Sequence, residues 1–276
     1  MDNTQDQNKN LKGKSELKQS PDLFAEQLGT FLGGDVQSEG VSADETKDVF
    51  LDRFYRRMAA DGLRHQHNLG TIVSESHSKI SADSKGSMID QDWLARFILL
   101  AKEVGGSEMQ KVWSKVLLKQ FEEPGSFSFV ALSCLSNMDI SDVNILNRIS
   151  ELSFHEGYIF KIAHSNDLAF FNLHKMSIAK VQALGLMHDS YDLSVIFIAN
   201  QGGLTFEYKG ANLILHNPNL SKFVIPAYKM SLPGTEFMSL FADNEVDINY
   251  LRALGEGLVG DGYTFRIRLP DGSLSL

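Results

Sequence analysis

Apolar residues recur at helical spacing through the first half of the chain, then give way to short extended runs mixed with brief helices. Residues 42–80 form the longest periodic stretch. Ser42 with Glu45 three residues later has the arrangement of a capping box. At about 100° per residue, Leu51, Phe54, Tyr55, Met58, Leu69, Ile72, Val73 and Ile80 share one face. Arg53, Arg57 and Arg64 fall together on the opposite face, flanked by Arg56 and His67. Gly62 and Gly70 each weaken the helix by up to about 1 kcal/mol relative to alanine, so a kink or break is expected there. Residues 81–87 read as a loop.

Two tryptophan helices come next. Asp90 or Asp92 starts one that buries Trp93, Leu94, Phe97, Ile98, Ala101 and Val104, and Gly105-Gly106 stops it. Ser107 caps a second, with Met109, Val112, Trp113, Val116, Leu117, Gln120 and Phe121 on one side. The short connection predicts antiparallel packing. At Glu123-Pro124-Gly125 the second helix ends: Pro124 terminates it and Gly125 permits the reversal, with Ser126 and Ser128 placed to cap the next helix. Residues 127–137 read as that third helix, and Ser141 as the cap of a fourth carrying Val143, Leu146, Ile149 and Leu152.

Strand propensity appears at residues 158–162, 169–173 and 195–198. Residues 204–208 and 212–216 predict a hairpin around Lys209-Gly210, and 223–225 adds an extended piece. Helices are expected over 177–187, 234–241 and 248–258, with a last strand over 264–269. The fold class is therefore mainly α with a C-terminal α+β part: a helical bundle over residues 42–155, then a winged-helix-like module over 156–276. Residues 1–41 read as a disordered tail, too polar to offset its ordering entropy, with a short amphipathic helix over 21–32. Leu23, Phe24, Leu28 and Phe31 on that helix are candidate partner-docking residues, since so short a helix needs something to dock on.

Charge and composition narrow the function. A net charge of −9 argues against a surface built wholly for nucleic acid or anionic lipid, though not against a local basic patch. No apolar run reaches the roughly 20 residues that span a bilayer. A polar N-terminus and a single cysteine, Cys134, set the expectation of a cytoplasmic protein with no internal disulfide.

The segments HNLGTIV (67–73), DWLARF (92–97), SEMQKVWSKVL (107–117) and EEPGSFSFVAL (123–132) carry a resemblance. Together, in this order, they are similar to the core pattern of a bacterial family catalogued as domain of unknown function 2806. There, an Arg-x-x-Asn-Leu helix precedes a tryptophan helix, a Met-Gln-x-x-Trp helix and a Pro-Gly-Ser-Phe-Ser turn. Arg64 stands four rather than three residues before Asn68. YKMSLPGTEFMSLF (228–241) resembles the signature that closes many winged-helix-like modules, with Met230-Ser231 where Leu-Thr is usual and Phe237 at its last position. The likeness spans roughly residues 45–240 and implies no activity. The helical arrangement is also similar to proteins of phage-exclusion and abortive-infection loci.

Candidate chemistry is sparse. Arg53, Arg56, Arg57, Arg64 and His67 present guanidinium forks suited to phosphate or to a protein partner. Asp48, Asp52 and Asp61 lie at helical spacing to pair with them instead. His65 and His67 stand two apart and point differently, so no metal site is expected. Cys134 sits among apolar residues, and the acidic pairs Glu122-Glu123 and Asp139 with Asp142 fall at helix ends, where capping explains them. No nucleophile elbow, Walker loop or dinucleotide fingerprint is present, and no motif implies a cofactor. Trp93, Trp113, Pro124 and Gly125 read as a structural motif. The expected function is regulatory or scaffolding contact with an unknown protein partner, without catalysis. Self-association through the long helix is a further expectation. The runner-up is nucleic-acid binding through the arginine face, in phage defence, with an unrecognised hydrolase third.

Overall fold

The computed structural model describes residues 47–81, 86–154, 157–162, 168–189, 193–198, 203–219, 222–241, 245–259 and 262–275. The tail, the 21–32 segment with Leu23, Phe24, Leu28 and Phe31, and the Ser42 cap lie outside them. Compactness divides the chain into two units, residues 1–67 and 68–276.

Described residues hold eight α-helices and two small antiparallel sheets. In order come α1 (Lys47–Ser78), α2 (Gln91–Ala101), α3 (Ser107–Glu122), α4 (Phe129–Leu135) and α5 (Ile140–Leu152). The C-terminal part runs β1 (Tyr158–Phe160), α6 (Lys175–Ala183), β2 (Ser194–Ile198), β3 (Gly203–Tyr208), β4 (Ala211–His216) and β5 (Lys222–Lys229). It closes with α7 (Leu232–Met238), α8 (Ile248–Val259), β6 (Thr264–Arg268) and β7 (Leu274–Ser275). One sheet has strand order β1-β5-β2 and the other β3-β4-β6-β7.

Several expectations change. α1 runs unbroken through Gly62 and Gly70. Losing about 1 kcal/mol at each is not enough to open a long hydrogen-bonded ladder. Residues 169–173 are not a strand: Ala169–Phe171 make a 3₁₀ turn, and Asn172 at φ 58° reverses the chain so that Leu168 meets Leu173. Phe171 is buried there, so its apolar character reflects the core, not a ladder. The cap of α3 is Gly106, not Ser107, which is already helical. The cap of α5 is Asp139, not Ser141. Its carboxylate accepts from the Ser141 and Asp142 backbone amides at 2.7 and 3.1 Å, and the Asp142 carboxylate accepts in return from the Asp139 amide at 2.9 Å. Of the two serines before α4, only Ser128 caps it.

The helical core of the second unit centres on Trp113, fully buried, with the Phe97 ring edge-on at 5.3 Å and Trp93 stacked on Phe97 at 5.3 Å. The Trp93 indole donates to the Phe127 carbonyl at 2.8 Å, and the Phe127 amide donates to the Gln120 side chain at 3.0 Å. These bonds pin the Pro124-Gly125 turn, where Gly125 takes φ 93°. In the mixed part, Phe154, Phe160, Phe206, Tyr208 and Tyr250 form an aromatic cluster, with Phe154 4.7 Å from Phe160 and 4.8 Å from Tyr208. The predicted hairpin forms as β3–β4 around Lys209-Gly210, whose positive φ angles of 49° and 81° suit a two-residue turn. β6 alternates as expected, with Arg266 and Arg268 exposed and Ile267 buried.

The Asp139 cap gives a pH prediction. The Ser141 hydroxyl, the Asp142 amide and Lys180 hold its carboxyl at about 2, below its ordinary 3.8. A depressed pKa contributes stability above the unfolded value, and that contribution is lost as pH falls through the folded one. Acid titration of stability should therefore show a loss between about pH 4 and pH 2 that Asp139→Asn lacks. Matching acid curves for the two proteins would remove the cap from the account.

Candidate functional site

The residues 47–67 of α1 carry the largest collection of exposed apolar side chains on any described element. Phe50 is 57% exposed, Tyr55 64%, Met58 55% and Leu63 73%, with Val49, Leu51 and Phe54 also open. Helical periodicity relates them to the end of the same helix. Eighteen residues make about five turns, so Phe50, Leu51, Phe54 and Met58 share azimuths with Asn68, Leu69, Ile72 and Ser76. In the second unit that stripe is core: Asn68, Ile72 and Ser76 are buried. In residues 50–58 the same stripe is uncovered.

The predicted arginine face is strongly self-paired. Arg56 meets Asp52 at 2.8 Å and Arg64 meets Asp61 at 3.2 Å. The Arg57 guanidinium lies 5.9 Å from the Phe54 ring centre, and Arg64 also approaches His65 at 3.1 Å. Arg53 and His67 have contacts of their own. All of these groups belong to one helix.

The motif residues do architectural work. Asn68 donates to the Lys102 carbonyl at 2.8 Å, and Gln110 donates to the Val104 carbonyl at 2.9 Å and to Asn68 at 3.3 Å. The two side chains thus supply partners to the Lys102 and Val104 carbonyls at the end of α2, beside its Gly105-Gly106 stop. The Ser76 hydroxyl reaches the Ser114 carbonyl at 3.0 Å. Ser128 donates through its amide (3.0 Å) and its hydroxyl (2.9 Å) to Glu236, tying the turn to α7.

Three ionic features escape a reading of the sequence because their partners are distant along it. Arg148 joins Glu151 and, at 2.9 Å, Asp247, and donates to the Phe171 carbonyl. Buried Asp142 pairs with Lys180 at 2.7 Å. Lys209 lines a cleft of about 370 Å³ with Ser150, Ser153, Phe154, Glu207, Met238 and Phe241. Burial pushes the Lys209 ammonium down, opposed by Glu151. A lysine at positive φ in a hairpin turn, where glycine or asparagine is usual, is the one signal that could have marked it.

Nucleophilic chemistry has little support among these groups. Burial, with help from Glu236, pushes the Cys134 thiol up, away from the reactive thiolate. Among the described residues no three His, Cys, Asp or Glu side chains are placed to hold a metal ion. No described helix is long and apolar enough to cross a membrane.

Comparison with known proteins adds one finding. A family model described as "Protein of unknown function (DUF2806)" matches residues 52–255. Neither the curated proteins nor the solved structures compared with the chain gave a match.

Proposed function

The chain belongs to the DUF2806 family of proteins of unknown function, and from its surfaces we propose a non-catalytic scaffolding or regulatory role exercised through protein contacts. The observation that carries this reading is the apolar stripe of α1, covered at Asn68, Ile72 and Ser76 and open at Phe50, Phe54 and Met58. Solvent-exposed phenylalanines in register with a helix's own core face are a docking pattern, because an amphipathic helix is stabilised mainly by burying that face. We read the protein as cytoplasmic, and residues 156–276 as a winged-helix-like module supporting the helical bundle of 42–155.

Nucleic acid through the arginine face is the weaker reading. Arg56 and Arg64 are paired with aspartates, and Arg57 leans on Phe54. A phosphate contact there would first have to displace these partners. In the winged-helix-like module, the hairpin tip offers only Lys209, whose charged form burial disfavours.

A photo-crosslinking residue at Tyr55, installed in cells making the full chain, tests the docking reading. The expected result is a discrete adduct, identified by mass spectrometry and abolished by Phe54→Glu. The same probe at Phe170, 85% exposed but off α1, should give none. Equal labelling from both positions, or no adduct at Tyr55, would sink the proposal.

A further inference from the structure

We propose that the cleft beside the β3–β4 hairpin binds a free α-amino acid with a large apolar side chain. The cleft, of about 370 Å³, is lined by residues of the second unit and goes beyond the contact role read from α1. Its size is at the low end of small-molecule sites, enough for one amino acid. Glu207 and Lys209 bring opposite charges to it from one hairpin, two residues apart. Phe154, Met238 and Phe241 supply apolar walls, and Ser153 supplies a hydroxyl. An α-amino acid presents the matching set of carboxylate, ammonium and apolar side chain. Charge complementarity assigns its ends, the carboxylate to Lys209 and the ammonium to Glu207. A phosphate fits less well, since Glu207 would repel it and one lysine cannot neutralise it.

The backbone at position 209 is a second, independent observation. Lys209 stands at φ 49° in a two-residue hairpin turn, a place that glycine or asparagine fills at less cost. A lysine held in that left-handed conformation forgoes local stability, and such departures from turn chemistry gather at working sites. Burial pushes its ammonium down, opposed by Glu151, which Arg148 already engages. A ligand carboxylate would compensate that partly desolvated charge.

Hydrogen-bonding capacity is also held in reserve. Ser153 is buried, yet among the described residues its hydroxyl reaches only the Phe154 carbonyl at 3.5 Å and the Met238 sulfur at 3.8 Å. The first is long for a hydroxyl donor, ordinarily at about 2.7–2.8 Å, and a thioether is a weak acceptor. Either charged end of an amino acid would be a better partner. Phe154 is fixed by ring contacts with Phe160 and Tyr208, so one wall is preformed, while flexible Met238 can adapt to the side chain.

Isothermal titration calorimetry of the full chain with L-leucine, L-methionine and L-phenylalanine tests the assignment. At least one should bind saturably with a dissociation constant below about 1 mM, and glycine, which lacks the apolar group, should not. The amide of the best ligand lacks its carboxylate and the N-acetyl form lacks its ammonium. Each should bind about ten- to a hundredfold more weakly. Lys209→Gly should weaken the amino acid to the same degree while melting close to the parent, because glycine suits the turn. Lys209→Asn, also at home there, repeats the measurement should the glycine variant lose its fold, and Glu207→Gln tests the other charge. No saturable binding, a glycine, amide or N-acetyl ligand that binds as well, or full binding by a folded variant at either position overturns the proposal. The cleft shares no residue with α1, so these outcomes stand apart from the Tyr55 adduct and the docking reading it tests.

Discussion

Replacing Trp113 by alanine is expected to destabilise the protein by about 3–5 kcal/mol. The side chain is fully buried, packs edge-on against Phe97, and through Phe97 supports Trp93, whose indole holds the Phe127 carbonyl. Removing it deletes transferred apolar area and leaves a cavity bounded by two aromatic helices that cannot collapse without moving the Pro124-Gly125 turn. Trp113→Phe keeps part of that volume and should cost less. Urea unfolding followed by far-ultraviolet circular dichroism measures both changes. If the alanine variant kept the parental midpoint, Trp113 would not be the centre of this core.

Gly234→Ala should be nearly as damaging, for a different reason. A Cβ at position 234 would stand 1.9 Å from the Leu186 carbonyl oxygen and 2.9 Å from its carbon. That oxygen is not free to retreat, because it accepts the Ser231 amide at 3.0 Å. Met230 is 2.8 Å away on another side, although its flexible end can yield. One methyl group therefore forces α7 off the segment after α6, at the upper end of the about 1–3 kcal/mol typical of overpacking, or beyond it. Thermal unfolding compared with Gly62→Ala makes the test internal. Gly62 has nothing within 4 Å of the added carbon, and alanine there should stabilise the helix by up to about 1 kcal/mol. A Gly234→Ala protein that melts with the parent would refute the close packing of α7.

The two tryptophan helices and their turn were legible because every signal there is local. Apolar residues keep a single period, and proline followed by glycine can only interrupt it. Asp139 and Ser141 both read as capping residues from the sequence, and only the reciprocal bonds between Asp139 and Asp142 separate the two. Residues 169–173 misled for the opposite reason. A short run rich in phenylalanine satisfies a strand and a buried turn alike, and the left-handed Asn172 that decides between them has no unique local mark. Asn68 and Gln110 were visible as motif letters but not as a bonded pair, since 42 residues separate them. A polar residue set within the apolar stripe of α1, on the azimuth of Phe50, was the clue to a buried partner. The stripe itself could be drawn from periodicity. Which half of it is covered depends on packing, which periodicity does not contain.

The Ser128–Glu236 bonds join groups 108 residues apart, and β1 takes β5 as its neighbour across a long interval of chain. During synthesis, α4 thus leaves the ribosome long before the carboxylate that fastens its first turn exists. The helices up to α5 can collapse early around Trp113, but their last face stays unfinished until α7 has been translated. Closing that face of the unit is therefore expected to wait on its C-terminal third, and a ribosome stalled within β5 should hold a nascent chain in which Ser128 has no Glu236 to meet.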